Sequence, residues 1–175
     1  MVLEESFVLS NGVSIPKLGL GTWFIDDGKA PEAVRQAVRL GYRHFDTAQA
    51  YGNERGVGEG VRTAGVAREE LFVTTKLAAE AKDRATAAAA IDESLRKAGL
   101  DYFDLMLIHS PQPWANWREG SYAEGNREAW EALEDAYRAG KLRAIGVANF
   151  EEANLQNLEA EDVRPMVNQL LVHVG

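Results

Sequence analysis

The stretch LFVTTKLAAEAKDRATAAAAIDESLRKAGLDYFDLMLIH, residues 71–109, decides the fold. It opens on a short apolar run, 71–75, and closes on a longer one, 103–108. Between them, residues 83–98 place Ile91, Leu95 and Ala98 on one helical face, and Gly99 ends the pattern. The run 103–108 is apolar almost throughout, as in a strand covered on both faces. Strand, helix and strand without a hairpin turn imply two parallel strands joined by a right-handed crossover. Each run leads into a side chain that can exchange protons: Lys76 after the first, His109 after the second.

The same unit recurs on both sides. Upstream, residues 7–15 read as a hairpin turning at Asn11-Gly12. A strand at 18–20 ends in Gly21-Thr22-Trp23. A helix follows at 31–40, with Pro31 in its first turn and Gly41 past its end. A strand at 43–45 delivers Asp46, and a helix at 53–64 carries Val57 and Val61 before Gly65. Downstream, a helix at 126–139 aligns Trp130, Leu133 and Tyr137. A strand at 142–147, a short helix at 151–158 and a strand at 165–170 complete the series, the last running into residues 172–175. Residues 110–117, rich in Pro and Trp, read as a loop shaped for a ligand. The sum is a hairpin and six strands alternating with five helices. A doubly wound sheet would be complete at six strands; an eight-stranded barrel would be about three-quarters present.

Composition narrows the function. The 175-residue chain carries a net charge of −8, which argues against a nucleic-acid or anionic-membrane surface. It has no cysteine, so disulfides, thiolate metal sites and cysteine nucleophiles are excluded, and a cytoplasmic setting is expected. The N-terminus lacks the basic-then-apolar pattern of a signal peptide, and no run approaches the ~18 apolar residues of a spanning helix. The dinucleotide fingerprint fails at its last glycine in both places it starts, Gly19-Leu-Gly21-Thr-Trp-Phe24 and Gly56-Val-Gly58-Glu-Gly60-Val61. A Lys-containing phosphate loop is also absent.

Asp46, Tyr51, Lys76 and His109 all fall at or just beyond strand ends, on the rim where such folds do chemistry. Singly, each has a plainer reading: Asp46 caps a turn, Tyr51 packs, Lys76 is solvated and His109 is a core histidine. Together they form a proton-sharing set. A phenol is a poor acid near its usual ~10. A neighbouring ammonium stabilises the phenolate, a carboxylate holds that ammonium, and a neutral imidazole orients a substrate oxygen. Two other readings stay open: a Schiff-base aldolase using Lys76, and a non-catalytic binding or regulatory barrel.

Several separated stretches resemble the aldo-keto reductase family, within it the prokaryotic 2,5-diketo-gluconate reductase-like group. They are Leu18-Gly-Leu-Gly-Thr-Trp23, Gly41-Tyr-Arg-His-Phe-Asp-Thr-Ala48, Tyr51-Gly-Asn-Glu54, Thr75-Lys76, Leu107-Ile-His109, Gly146-Val-Ala-Asn-Phe150 and Asn168-Gln169. The resemblance implies a (β/α)8 TIM barrel with a hairpin plugging its floor. It implies that residues 1–175 are a single barrel domain lacking C-terminal strands, monomeric at full length. It also implies NADPH-dependent reduction of small aldehydes or ketones to alcohols, with NADH as the other candidate cofactor. Tyr51 would be the acid/base, Lys76 and Asp46 would tune it, and His109 would orient the carbonyl. Gly21, Thr22, Asp46, Asn149 and Gln169 would meet the nicotinamide end, and Trp23 and Trp114 would line the substrate pocket with Tyr51 and His109. No metal is implied. The chain departs from the family at Ser110, where many relatives carry Trp, which predicts a more open or polar pocket. It departs again at Ala148, in place of Ser, and at Ala78, in place of an aromatic. Gly56, Gly58 and Gly60 are expected to weaken the second helix by roughly 1 kcal/mol each relative to Ala.

Overall fold

The computed structural model describes residues 2–117 and 119–173; of the segment 172–175, the last two positions lie outside these. An antiparallel hairpin, β1 (Ser6–Val8) and β2 (Ser14–Pro16), comes first. Gly12 sits in its turn at φ +84°, and Asn11 Oδ1 accepts from Val13 N at 3.1 Å. Six parallel strands follow: β3 (Leu20–Gly21), β4 (His44–Asp46), β5 (Phe72–Leu77), β6 (Leu105–Ile108), β7 (Ile145–Ala148) and β8 (Asn168–Gln169). The helices between them are α1 (Ala30–Arg39), α2 (Glu54–Arg62), α3 (Arg84–Ala98), α4 (Ala123–Arg138) and α5 (Glu152–Gln156).

Strand order decides between the two architectures. Each strand pairs with its successor in sequence, β3 through β8. A doubly wound sheet must reverse that order at a switch point. Sequential order instead curls the sheet, with its helices outside, as in a (β/α)8 barrel.

Side chains alternate across each strand, and this sorts the chain into two cores. Phe45, Val73, Leu77, Met106, Ile108, Ile145 and Val147 face the helices, against Val34, Val57, Ile91, Trp130 and Leu133. Phe72, Leu105, Leu107, Ala144 and Ala148 face inward, where the hairpin's Leu9, Val13 and Ile15 cover them. The hairpin is held there by Asn11 Nδ2, which donates to the Arg143 carbonyl at 2.9 Å. His44, Asp46, Thr74 and Lys76 share the inward parity of Phe72, and Asp46, Thr74 and Lys76 occupy the inner row beyond the His44–Phe72 level. At the opposite ends, Asp104 is fully buried. It accepts from Arg68 and Arg143, each at 2.7 Å, and from Val73 N at 2.9 Å, pinning the starts of β5, β6 and β7 together.

Several boundaries differ from the sequence reading. Strand β5 continues to Leu77, so Lys76 lies inside it, because Lys76 and Leu77 still pair with Leu107 and Ile108. Helix α4 starts at Ala123, not 126: Asn126 N bonds the Tyr122 carbonyl, and its side chain is committed to a loop instead of a cap. Strand β8 is only two residues long.

The glycines of α2 also mean something other than weakness. A Cβ on Gly56 would lie 2.0 Å from the Asp27 carbonyl oxygen, and one on Gly58 2.0 Å from that of Ala98. Bare backbone lets α2 seat deeply against its neighbours. Gly58→Ala should therefore destabilise the fold. Overpacking of about 1–3 kcal/mol outweighs the roughly 1 kcal/mol of helix propensity gained, and a lowered midpoint in urea denaturation would show it.

Candidate active site

Lys76 sits on the inner row, 1% exposed. Its ammonium has three protons and three acceptors. It is ion-paired with Asp46 Oδ1, donates to the Thr47 carbonyl at 3.1 Å, and donates to the Tyr51 hydroxyl at 3.3 Å. Asp46, the last residue of β4, uses its other oxygen to accept from Gln169 Nε2 at 2.9 Å. That bond crosses the bore from the sixth parallel strand to the second. Tyr51 ends a 3-10 turn, Gln49–Tyr51, that follows β4. His109 follows β6, and its ring meets that of Tyr51 edge-on at 5.7 Å.

These four side chains come together as the sequence predicts, but the electrostatics differ. The phenol of Tyr51 is pushed up to about 12, first by burial and then by the Asp46 carboxylate. The hydrogen bond from Lys76 at 3.3 Å does not offset these two effects. Burial lowers the Lys76 ammonium, against the pull of Asp46. His109 is pushed down to about 4, by burial and then by Lys76. Its Nδ1 is buried with no hydrogen-bond partner among the described residues. The imidazole is neutral at physiological pH.

Tyr51 and His109 line a cleft of about 780 Å³ with Trp23, Ala50, Trp114, Asn149, Gln169, Leu170 and Leu171. The aromatic walls run on: Phe24 stacks on Trp23 at 4.3 Å, and Trp117 on Trp114 at 5.4 Å. Phe24 holds this position at φ +65°. Of the residues expected to meet a nicotinamide, Asn149 and Gln169 reach this cleft. Asn149 Nδ2 donates to the His109 carbonyl at 2.9 Å. Gly21 instead lines a neighbouring cavity with Asp46 and Gln169. Thr22 is buried, and its hydroxyl donates to the Asp46 carbonyl at 2.9 Å. Ser110 does not open the cleft. It is fully buried beneath the loop, where its Oγ accepts from Gln112 N at 3.3 Å.

The supporting layer escaped the sequence reading. Asn53 is fully buried and uses both donors and its acceptor: it donates to the carbonyls of Thr22 and Ile25 and accepts from Thr47 Oγ1 at 2.7 Å. It ties the loop carrying Trp23 to the loop carrying Tyr51. Glu54, also buried, accepts from Thr75 at 2.6 Å and Ser94 at 3.2 Å. Ser94 in turn accepts from Gln49, whose Oε1 accepts from Ala78 N. The turn bearing Tyr51 is thus bolted to β5 and α3. The only sequence cue was that Asn53 and Glu54 directly follow Tyr51-Gly52.

Fold and cluster together define a barrel-type α/β protein with a proton-sharing site at its C-terminal strand ends. Residues 17–174 match the model of the Aldo/keto reductase family. The chain is 43% identical over 173 residues to the glyoxal reductase of Bacillus subtilis, spanning 98% of this chain and 59% of that relative. A crystal structure of an aldo/keto reductase from Brucella melitensis superposes with a TM-score of 0.89 at 39% identity, over 97% of this chain and 62% of that one. For the aldo-keto reductase of Bombyx mori in complex with NADP the score is 0.83 at 38% identity, over 96% and 58%. This chain therefore belongs to the aldo/keto reductase family, and spans less than two-thirds of the length of these relatives.

Two measurements test the electrostatics. Asp46→Asn leaves the buried ammonium without its counter-ion and should cost about 3 kcal/mol, whereas adding Lys76→Met should recover most of that loss. Denaturant titration of the two single variants and the double variant reads the coupling. In the folded chain His109 titrates at about 4, against ~6.5 when unfolded. Between those values the unfolded chain binds the extra proton. Its contribution to stability is thus complete above pH ~6.5 and lost as pH falls toward 4. Imidazole NMR should find His109 neutral at pH 5.5.

Proposed function

We propose that the protein carrying this sequence is an NAD(P)H-dependent carbonyl reductase acting on small aldehydes, ketones or keto-sugars, with residues 1–175 belonging to one barrel domain. One observation carries the reading: a buried, Asp46-paired ammonium donates to the hydroxyl of a tyrosine that, with a neutral histidine, faces an apolar cleft. The family and the named activity of the Bacillus relative support it.

The cleft suits a nicotinamide ring. Its carboxamide needs acceptors, and neither Asn149 Oδ1 nor Gln169 Oε1 has a hydrogen-bond partner among the described residues, since both side chains are fixed through their nitrogens. The NADP bound by the Bombyx relative favours NADPH, with NADH the alternative. The nicotinamide would supply hydride to the carbonyl carbon. Tyr51 gives the proton to the carbonyl oxygen. Because its phenol stays protonated up to about pH 12, the donor is loaded throughout the physiological range. Lys76 then stabilises the phenolate left behind. His109 has Nδ1 sealed in the protein, so Nε2 is the nitrogen that meets the substrate oxygen. Trp23 and Trp114 enclose the rest of the molecule.

The aldolase reading loses ground here. A Schiff base needs a free amine facing substrate, whereas all three protons of Lys76 are engaged and Lys76 does not line the cleft. Tyr51→Phe should lower carbonyl reduction by about 10²–10⁴-fold, the usual worth of a general acid. Nicotinamide binding, followed by tryptophan fluorescence, should hardly change. A retained rate would sink the assignment.

A further inference from the structure

We propose that Lys82 is a positioning residue: with Asn126 it fixes the loop that carries Trp114, and so sets one wall of the cleft against flat, uncharged carbonyl substrates. The substrate side of this statement rests on the reductase reading.

The loop between β6 and α4 has little core of its own. Trp114 and Trp117 are each 40% exposed. Yet Trp114 is held with its ring perpendicular to that of His109, 5.1 Å away. The root of the loop is tied from outside it. Lys82 lies on the segment between β5 and α3 and reaches the Ser110 carbonyl at 2.9 Å. It also donates to Asn126 Oδ1 at 2.6 Å. Asn126, buried on the first turns of α4, returns through Nδ2 to the Pro111 carbonyl at 3.0 Å. One lysine and one asparagine therefore hold two successive carbonyls at the root of the loop. A third tie joins the same segment to the loop's tip, where Trp114 N donates to Glu80 Oε1 at 3.3 Å. The contact is close: a Cβ on Gly125 would lie 2.7 Å from the Lys82 carbonyl oxygen.

Lys82 is not serving as an ordinary surface charge. Among the described residues it makes no ion pair, and both its acceptors are neutral. Burial lowers its ammonium to about 8, with Glu80 pulling the other way. What it supplies is two directed N–H bonds across a gap. The wall it steadies lines, together with Trp23, a cleft with no charged side chain among the described residues that line it. Such a cleft holds a planar, uncharged molecule by ring contact. A two-carbon carbonyl needs only Tyr51 and His109.

The test compares Lys82→Met with the parent full-length protein on 4-nitrobenzaldehyde and on glyoxal. KM for the aromatic aldehyde should rise about tenfold, which is what an aromatic contact is worth, with kcat nearly constant and glyoxal kinetics unchanged. Equal losses on both substrates would reduce Lys82 to a structural role and overturn the proposal. A second readout needs no turnover. In protein labelled with 5-fluorotryptophan, the fluorine resonances of Trp114 and Trp117 should shift or broaden in Lys82→Met, while those of Trp23 and Trp130 stay put. Asn126→Ala should move the same pair. Four unmoved resonances in both variants would overturn the proposal. Moved Trp114 and Trp117 signals in a parent that reduces neither aldehyde would uphold the tie and discard the reductase reading instead.

Discussion

A charge taken out of water costs several kcal/mol unless it is met by an opposite charge and hydrogen bonds. Lys76 brings that demand into the middle of the barrel. Asp46 answers from the neighbouring strand, the Thr47 carbonyl from the turn after it, Tyr51 from the 3-10 turn, and Gln169 secures Asp46 from across the bore. Strand parity makes this inevitable once the sheet forms. The side chains that suit the helix layer point outward, and those that do not are delivered to one another on the inside. The site is thus the polar remainder of a sheet whose apolar residues have been used for packing.

The outer layer determines how accurately that remainder is placed. Gly56 and Gly58 let α2 sink against its neighbours until backbones nearly touch. At that depth Asn53 and Glu54, at its N-terminal end, meet Thr47, Thr75 and Ser94. A helix with better intrinsic propensity but bulkier residues would sit farther out, and Tyr51 would move with it.

Much of this was legible in the sequence. The alternation of runs gave the parallel strands, and the side chains at their ends gave Asp46, Tyr51, Lys76 and His109. Asn11-Gly12 gave the hairpin. What the pattern could not supply was anything set by distance between separated segments. Six strands fit two architectures until their order was known. Ser110 read as a pocket residue because it follows His109, yet the chain turns there and buries it. The phenol of Tyr51 was expected to be acidified by Lys76; burial, which only the fold sets, and then the Asp46 carboxylate push it the other way. Asn53, Glu54 and Lys82 carry no periodicity, because their partners are loop carbonyls and hydroxyls with no compositional trace.

Four bonds described above also bear on how the chain reaches this state. The Asp104 latch joins residues 36 and 39 positions apart and can close early around β5, β6 and β7. Asn11 to Arg143 and Gln169 to Asp46 span 132 and 123 positions. Closing a longer loop costs more chain entropy, and contacts of long sequence separation slow folding. The floor plug and the bond across the bore are therefore costlier closures than the Asp104 latch. An assembling chain can thus close the Asp104 latch before it brings Gln169 to Asp46.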